Sequence, residues 1–140
     1  MIQVTCAIIA EDGKILLAQN RADTDHAFQW EFPGGKIYGN ESEEACIVRE
    51  IREELEIEVA IIQRLAPVEF DYGHKQICLI PFLCSVKSGT LALNDHLNSK
   101  WCEPEELLKM DLSDADRALL EETNNWRLLE EYARKKQDNS

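Results

Sequence analysis

One segment limits the fold of this chain more than any other. Residues 41–55 carry Ala45, Val48, Ile51 and Leu55 at intervals of three and four, the spacing of a helix with one buried face. Asn40 is placed to cap its start, with Glu43 three residues on in a capping-box arrangement. Glu41, Glu43 and Glu44 fall in the first turn, where the helix dipole favours negative charge. A lone helix of this kind must bury its apolar stripe against another layer.

The flanking segments supply one. Residues 2–10 are apolar and β-branched, Glu11-Asp12-Gly13-Lys14 is a turn signal, and residues 15–19 complete a hairpin. Residues 29–32 form a short extended piece stopped by Pro33-Gly34-Gly35. Residues 58–65 read as a strand, and 69–72 with 76–86 as a hairpin turning through Gly73-His74-Lys75. Residues 100–102 are a short closing strand. Pro104 starts a short helix through Met110. Ser113 opens a longer one to residue 134, with Leu119, Leu120, Trp126, Leu129 and Tyr132 facing inward. The expectation is an α+β (α/β) fold, a mixed sheet covered by helices. One domain over residues 1–136 fits 140 residues, with 137–140 as a disordered tail.

Charge and cysteines narrow the partners. With 27 acidic against 15 basic residues the net charge is −12, which repels nucleic-acid polymers and anionic membranes. A phosphorylated small molecule is still compatible where metal cations neutralise the local charge. No run approaches the roughly 20 apolar residues that cross a bilayer. The stretch Val4 to Ala10 lacks the basic flank and cleavage site of a signal peptide. The five cysteines are odd in number and include no CxxC pair, so neither a disulfide framework nor a zinc site is expected. The chain reads as a reduced, cytoplasmic protein. Oligomeric state stays open between monomer and homodimer.

Glu50, Glu53 and Glu54 share one helix face at i, i+3 and i+4, roughly opposite the Val48, Ile51 and Leu55 stripe. Three adjacent carboxylates repel, which costs helix stability. One account is a solvated acidic face; the other is a hard divalent cation, which takes oxygen ligands and is often shared with substrate phosphates.

The letters around the glutamates favour the second account. Gly35, Glu41, Arg49, Glu50, Ile51, Glu53, Glu54 and Ile57 match G-x5-E-x7-R-E-U-x-E-E-x-G-U, with U apolar, the signature of the Nudix hydrolases. With each residue type near one in fifteen, six fixed letters coincide about once in ten million windows. Trp30-Glu31-Phe32-Pro33-Gly34-Gly35-Lys36 and Trp101-Cys102-Glu103-Pro104-Glu105-Glu106 resemble stretches of MutT-like members, among them pyrimidine and 8-oxo-dGTP pyrophosphohydrolases. The one departure is Glu56, where the pattern has glycine; it puts the helix terminus in doubt by a residue.

The resemblance implies a Nudix-type α/β/α sandwich with a central mixed β-sheet. It implies Mg²⁺, or Mn²⁺ in its place, held by Glu50, Glu53 and Glu54 with backbone oxygen from Gly34 and Gly35. Arg49 would orient a glutamate, with Glu41 as its structural partner. Glu53, Glu54 and Asp95 are the alternative proton acceptors. On the substrate side stand Arg21, Glu31, Phe32, Gly34 and Asp116, and one of Phe28, Trp30, Phe32 and Tyr72 would stack a base. Asp116 is also placed as the third residue of a capping box begun by Ser113. The reaction implied is hydrolysis of a nucleoside triphosphate, ordinary, oxidised or otherwise modified, to the monophosphate and pyrophosphate, in sanitation of the nucleotide pool. ADP-ribose or a dinucleoside polyphosphate as substrate, and a non-catalytic nucleotide-sensing domain, are the alternatives.

Overall fold

Strand β1 (Ile2–Glu11) is apolar on both sides because both sides are covered. Cys6, Ile8 and Ala10 enter one core; Ala7 and Ile9 enter the other. In the computed structural model, which describes residues 1–138, β1 turns into β2 (Lys14–Gln19) with Ala10 opposite Ile15. The same strand runs parallel to β7 (Gln76–Gly89), from Ile2 opposite Ile77 to Ile9 opposite Cys84. β5 (Ile57–Arg64) closes one side against β7, and β3 (Trp30–Glu31) the other against β2, giving the order β3-β2-β1-β7-β5. β4 (Gly34–Lys36), β6 (Val68–Asp71) and β8 (Asn98–Cys102) pair with β1, β7 and β2 respectively.

Helix α1 (Glu43–Leu55) covers one face of this mixed sheet through Ile47, Ile51 and Leu55, against Ile9, Leu16 and Phe82. The other face is covered by α2 (Pro104–Leu107), α3 (Asp114–Glu121) and α4 (Thr123–Asp138), whose Leu107, Leu119, Leu120 and Leu129 meet Ile8, Leu17 and Leu83. The fold is the expected α/β/α sandwich. No helix among the described residues is long and apolar enough to cross a membrane.

Several boundaries differ from the sequence expectation. The cap of α1 is Ser42, whose hydroxyl accepts from the Ala45 amide at 3.0 Å, and not Asn40. The buried stripe of α1 is also rotated: Ala45 is exposed and Val48 half-buried, while Cys46, Ile47, Glu50, Ile51, Glu54 and Leu55 are buried. Ile47, Ile51 and Leu55 at i, i+4 and i+8 set the contact line, and Glu50 and Glu54 fall on its edge. The extended piece does stop, at Glu31, but Gly34 and Gly35 then begin a new strand, β4. The long C-terminal helix is two helices, broken at Glu122 with an extended backbone. There the Glu122 carboxylate accepts from the Asn125 amide at 2.7 Å and restarts the chain as α4. α4 is described through Asp138; of the expected tail, residues 139–140 lie outside the described residues.

Candidate active site

The site grows from the last two turns of α1. Glu50 and Glu54 are each 8% exposed, while Glu53 is exposed. The trio therefore does not share one solvated face. Arg49 organises the approach to it. Its guanidinium forks onto Glu41, Nε to Oε2 at 2.9 Å and Nη2 to Oε1 at 2.7 Å. Its Nη1 donates to Glu50 Oε1 at 2.9 Å and Glu53 Oε2 at 3.1 Å. Hydrogen bonds from Arg49 hold the Glu41 carboxyl down at about 2.

Glu54 is in the opposite condition. Burial first, then the charges of Glu31, Glu50 and Asp95, push its carboxyl up to about 9, with the Gly34 amide only partly opposing. Its Oε2 is buried without a hydrogen-bond partner among the described residues. Burial also raises Glu50, against the pull of Arg49.

Backbone packing sets β4 against this cluster. β4 lies between β1 and α1, with Gly34 opposite Cys6 and Gly35 opposite Thr5. A Cβ on Gly35 would collide with the Glu50 carboxyl. The Gly35 carbonyl accepts from Thr5 Oγ1 at 3.1 Å and from Cys46 Sγ at 3.6 Å. Gly34, Gly35 and Lys36 line a cavity of about 220 Å³ together with Glu31, Phe32, Ala115 and Asp116; Glu50, Glu53, Glu54 and Asp95 are outside its lining.

In that lining, Asp116 does more than the capping box requires. Its Oδ1 accepts from the Phe32 amide at 2.9 Å and its Oδ2 from Ser113 Oγ at 2.6 Å. Ser113 itself makes no side-chain cap bond to α3. The carboxylate ties α3 to the strand carrying Glu31, and burial, then Glu31, raises its pKa. Tyr72 lines the cleft with its hydroxyl accepting from the Ala115 amide at 2.9 Å, and His26 packs on its ring at 4.8 Å. Of the other aromatic candidates, Phe32 lines the cleft, Trp30 packs on the core and Phe28 is exposed outside the cleft. Arg21 is paired with Asp23 at 3.7 Å, exposed, and not in the cleft lining. Asp95 is exposed in the segment before β8, and its charge reaches Glu54.

The donors suit a hard divalent ion. They are carboxylate oxygens, two of them on buried side chains, and Glu54 Oε2 is an orphaned buried acceptor. The side chains are not gathered into a closed cage: among the described residues no three acidic, histidine or cysteine groups stand close enough to hold an ion. Arg49 occupies one oxygen each of Glu50 and Glu53 instead.

The NUDIX domain family matches residues 1–123. The chain belongs to the NUDIX hydrolase family. It is 44% identical over 121 residues to a CTP pyrophosphohydrolase of Escherichia coli (strain K12), covering 86% of this chain and 90% of that one. It is 30% identical over 131 residues to an 8-oxo-dGTP diphosphatase of Haemophilus influenzae, covering 90% and 96%. The solution structure of the E. coli ORF135 protein superposes with a TM-score of 0.77 at 43% identity, over 91% of each chain. Nudix hydrolases use divalent metals, in keeping with the oxygen-rich donor set on α1.

One residue of this Nudix site escaped the sequence reading. His96 is the buried histidine of the three, and its Nε2 lies 3.0 Å from Glu31 Oε2. Its only signal was its place beside Asp95, since a histidine in a polar turn carries no periodicity that would mark it as buried.

Proposed function

We propose that this chain is a divalent-metal-dependent nucleoside triphosphate pyrophosphohydrolase, with a cytosine nucleotide as its first candidate substrate. One observation carries the reading. A buried carboxylate with an unpartnered oxygen, Glu54, interacts with the Gly34 amide and with the charge of Glu31, and both of those residues line a cleft that also holds a second buried carboxylate, Asp116. The similarity to a CTP pyrophosphohydrolase supports the choice of base.

Glu50, Glu53 and Glu54, with backbone oxygen from Gly34 and Gly35, would hold Mg²⁺ or Mn²⁺. When bound, such an ion supplies charge neutralisation at the phosphates and acidifies water. Arg49 sets the Glu50 and Glu53 carboxylates, and Glu41 sets Arg49 through the bidentate fork. Asp95 takes the proton from attacking water, because Glu54 is buried and Glu53 is tied to Arg49. Asp116 would face the base edge, where a carboxylate accepts from an exocyclic amine such as that of cytosine. Tyr72, already packed by His26 and Phe70, is the aromatic of the cleft lining that bonds the neighbouring Ala115 amide. Lys36 lines the cleft and Arg21 does not, so Lys36 is the better placed of the two to meet a phosphate. The products would be a monophosphate and pyrophosphate, and the role sanitation of the free nucleotide pool in the cytoplasm.

A panel of ordinary, oxidised and 5-modified nucleoside triphosphates, ADP-ribose and dinucleoside polyphosphates, incubated with Mg²⁺ and read by product mass, tests this. A cytosine triphosphate is expected to be cleaved to CMP or dCMP and pyrophosphate, with Glu54→Gln slower by at least about tenfold. Preferred cleavage of ADP-ribose or of a dinucleoside polyphosphate, or nucleotide binding without turnover, defeats the assignment.

A further inference from the structure

Residues 90–97 form the segment that presents Asp95, and its two ends are anchored differently. At one end the Ala92 amide donates to Leu55 O at 2.9 Å and the Asn94 amide to Glu54 O at 3.0 Å. The Asn94 side chain adds a bond to Glu53 O at 2.8 Å. These bonds cap the C-terminus of α1, whose last carbonyls would otherwise lack partners. At the other end the Leu97 amide donates to Gln19 O at 2.9 Å, at the edge of β2. Asp95 and His96 span the gap between the anchors.

Within that gap one side-chain hydrogen bond is made among the described residues. The His96 ring, 4% exposed, places Nε2 at 3.0 Å from Glu31 Oε2. A carboxylate accepts, so the ring donates from Nε2. Its Nδ1 is buried with no partner among the described residues. Packing alone does not account for the ring, because an apolar side chain would fill the space without a stranded nitrogen. Glu31 is equally constrained. It is in β3, between β2 and the Trp30–Leu112 bridge, and lines the cleft. The next residue, Phe32, gives its amide to Asp116. Glu31 is therefore close to both carboxylates, and its charge is felt by both Glu54 and Asp116.

We propose that His96 is a positioning residue: by holding Glu31 from within the Asp95 segment, its ring fixes Asp95 over the end of α1 and locks that segment to the strand that leads to Asp116. The inference rests on the activity proposed above. It predicts that the loss of the ring's hydrogen bond slows turnover more than it weakens substrate binding. The Asp95 carboxylate would lose its fixed place, whereas the cleft walls made by β1, β4 and β7 would remain.

The test compares His96→Leu, which fills the space without a donor, with His96→Gln, whose amide reaches about as far as Nε2. Steady-state hydrolysis is measured on the best triphosphate of the panel, beside thermal melting and Mn²⁺ titration of each variant. His96→Leu is expected to lower kcat by about tenfold or more with KM held within about threefold. Mn²⁺ affinity should stay within about threefold, and His96→Gln should recover most of kcat. The inference is overturned if folded His96→Leu keeps kcat within about threefold, or if His96→Gln is no better than His96→Leu. It is also overturned if the loss lies wholly in KM. Should His96→Leu fail to fold, His96→Asn, too short to reach Glu31, replaces it with the same expectations. A wild-type protein inert on the whole panel overturns the proposed activity and this inference together; an active wild type indifferent at position 96 overturns this inference alone.

Discussion

Glu56 ends α1 with φ 58° and ψ 29°, and its amide donates to Arg52 O. That is the left-handed geometry in which the Nudix pattern has glycine, and a side chain there costs roughly 1–2 kcal/mol. The helix terminates at Leu55 regardless, because the segment after it must enter β5 at Ile57. The sequence reading left this terminus open by a residue; packing of Ile57 into the core closes the question. Glu56→Gly is therefore expected to raise unfolding stability by about 1 kcal/mol, part of the relief being returned as extra chain entropy in the unfolded state. An unchanged or lower urea midpoint would count against strain at this residue. Arg49 and Glu41 show the other side of residue-scale reading. Their spacing of eight is visible in the sequence, but the fork that joins them depends on how the chain turns through residues 37–42 before the helix.

At the level of elements, the informative case is β4. Pro33-Gly34-Gly35 reads as a stop signal by composition, yet the pair is a strand squeezed between β1 and α1. Glycine serves here for close approach. A Cβ on Gly34 would strike the backbone of Thr5 and Cys6, whereas the atoms nearest one on Gly35 belong to the Glu50 carboxyl. The two substitutions should thus part company. Gly34→Ala is expected to destabilise by about 1–3 kcal/mol, since backbone cannot move aside. Gly35→Ala should melt close to wild type but displace Glu50 and lower turnover by at least about tenfold. Melting curves and hydrolysis rates on both variants decide it; equal effects on both measurements would show that the glycines share one role. The same squeeze explains the rotated stripe of α1. Periodicity locates a helix face to within a residue or so, but the partner strand chooses which neighbours of that face are carried inside, and here it chose Glu50 and Glu54.

For the molecule as a whole, burying Glu54 couples stability to pH. Its carboxyl has an ordinary value of 4.5 and is pushed up to about 9 in the folded chain. Between those values the folded chain keeps a proton that the unfolded chain has released. Stability of the metal-free protein should fall as pH rises through that window and level off above it. Urea midpoints from pH 5 to 9 should show this slope, Glu54→Gln should flatten it, and millimolar Mg²⁺ should offset it at pH 8 by favouring the ionised carboxylate. A flat metal-free profile would mean that Glu54 is solvated in the folded chain.

Most of the elements, the hairpins, and the acidic helix could be read from the chain because they obey local rules: period, turn chemistry and residue spacing act over a few residues and leave a mark in the string. The candidate ligands Glu50, Glu53 and Glu54 were visible for the same reason. Their unequal burial was not, nor was the His96–Glu31 contact across 65 positions, nor the reach of Asp116 to the Phe32 amide. Those follow from which surfaces meet when two helical layers close on the sheet. Desolvation and long-range hydrogen bonds depend on that meeting, and no local pattern encodes it.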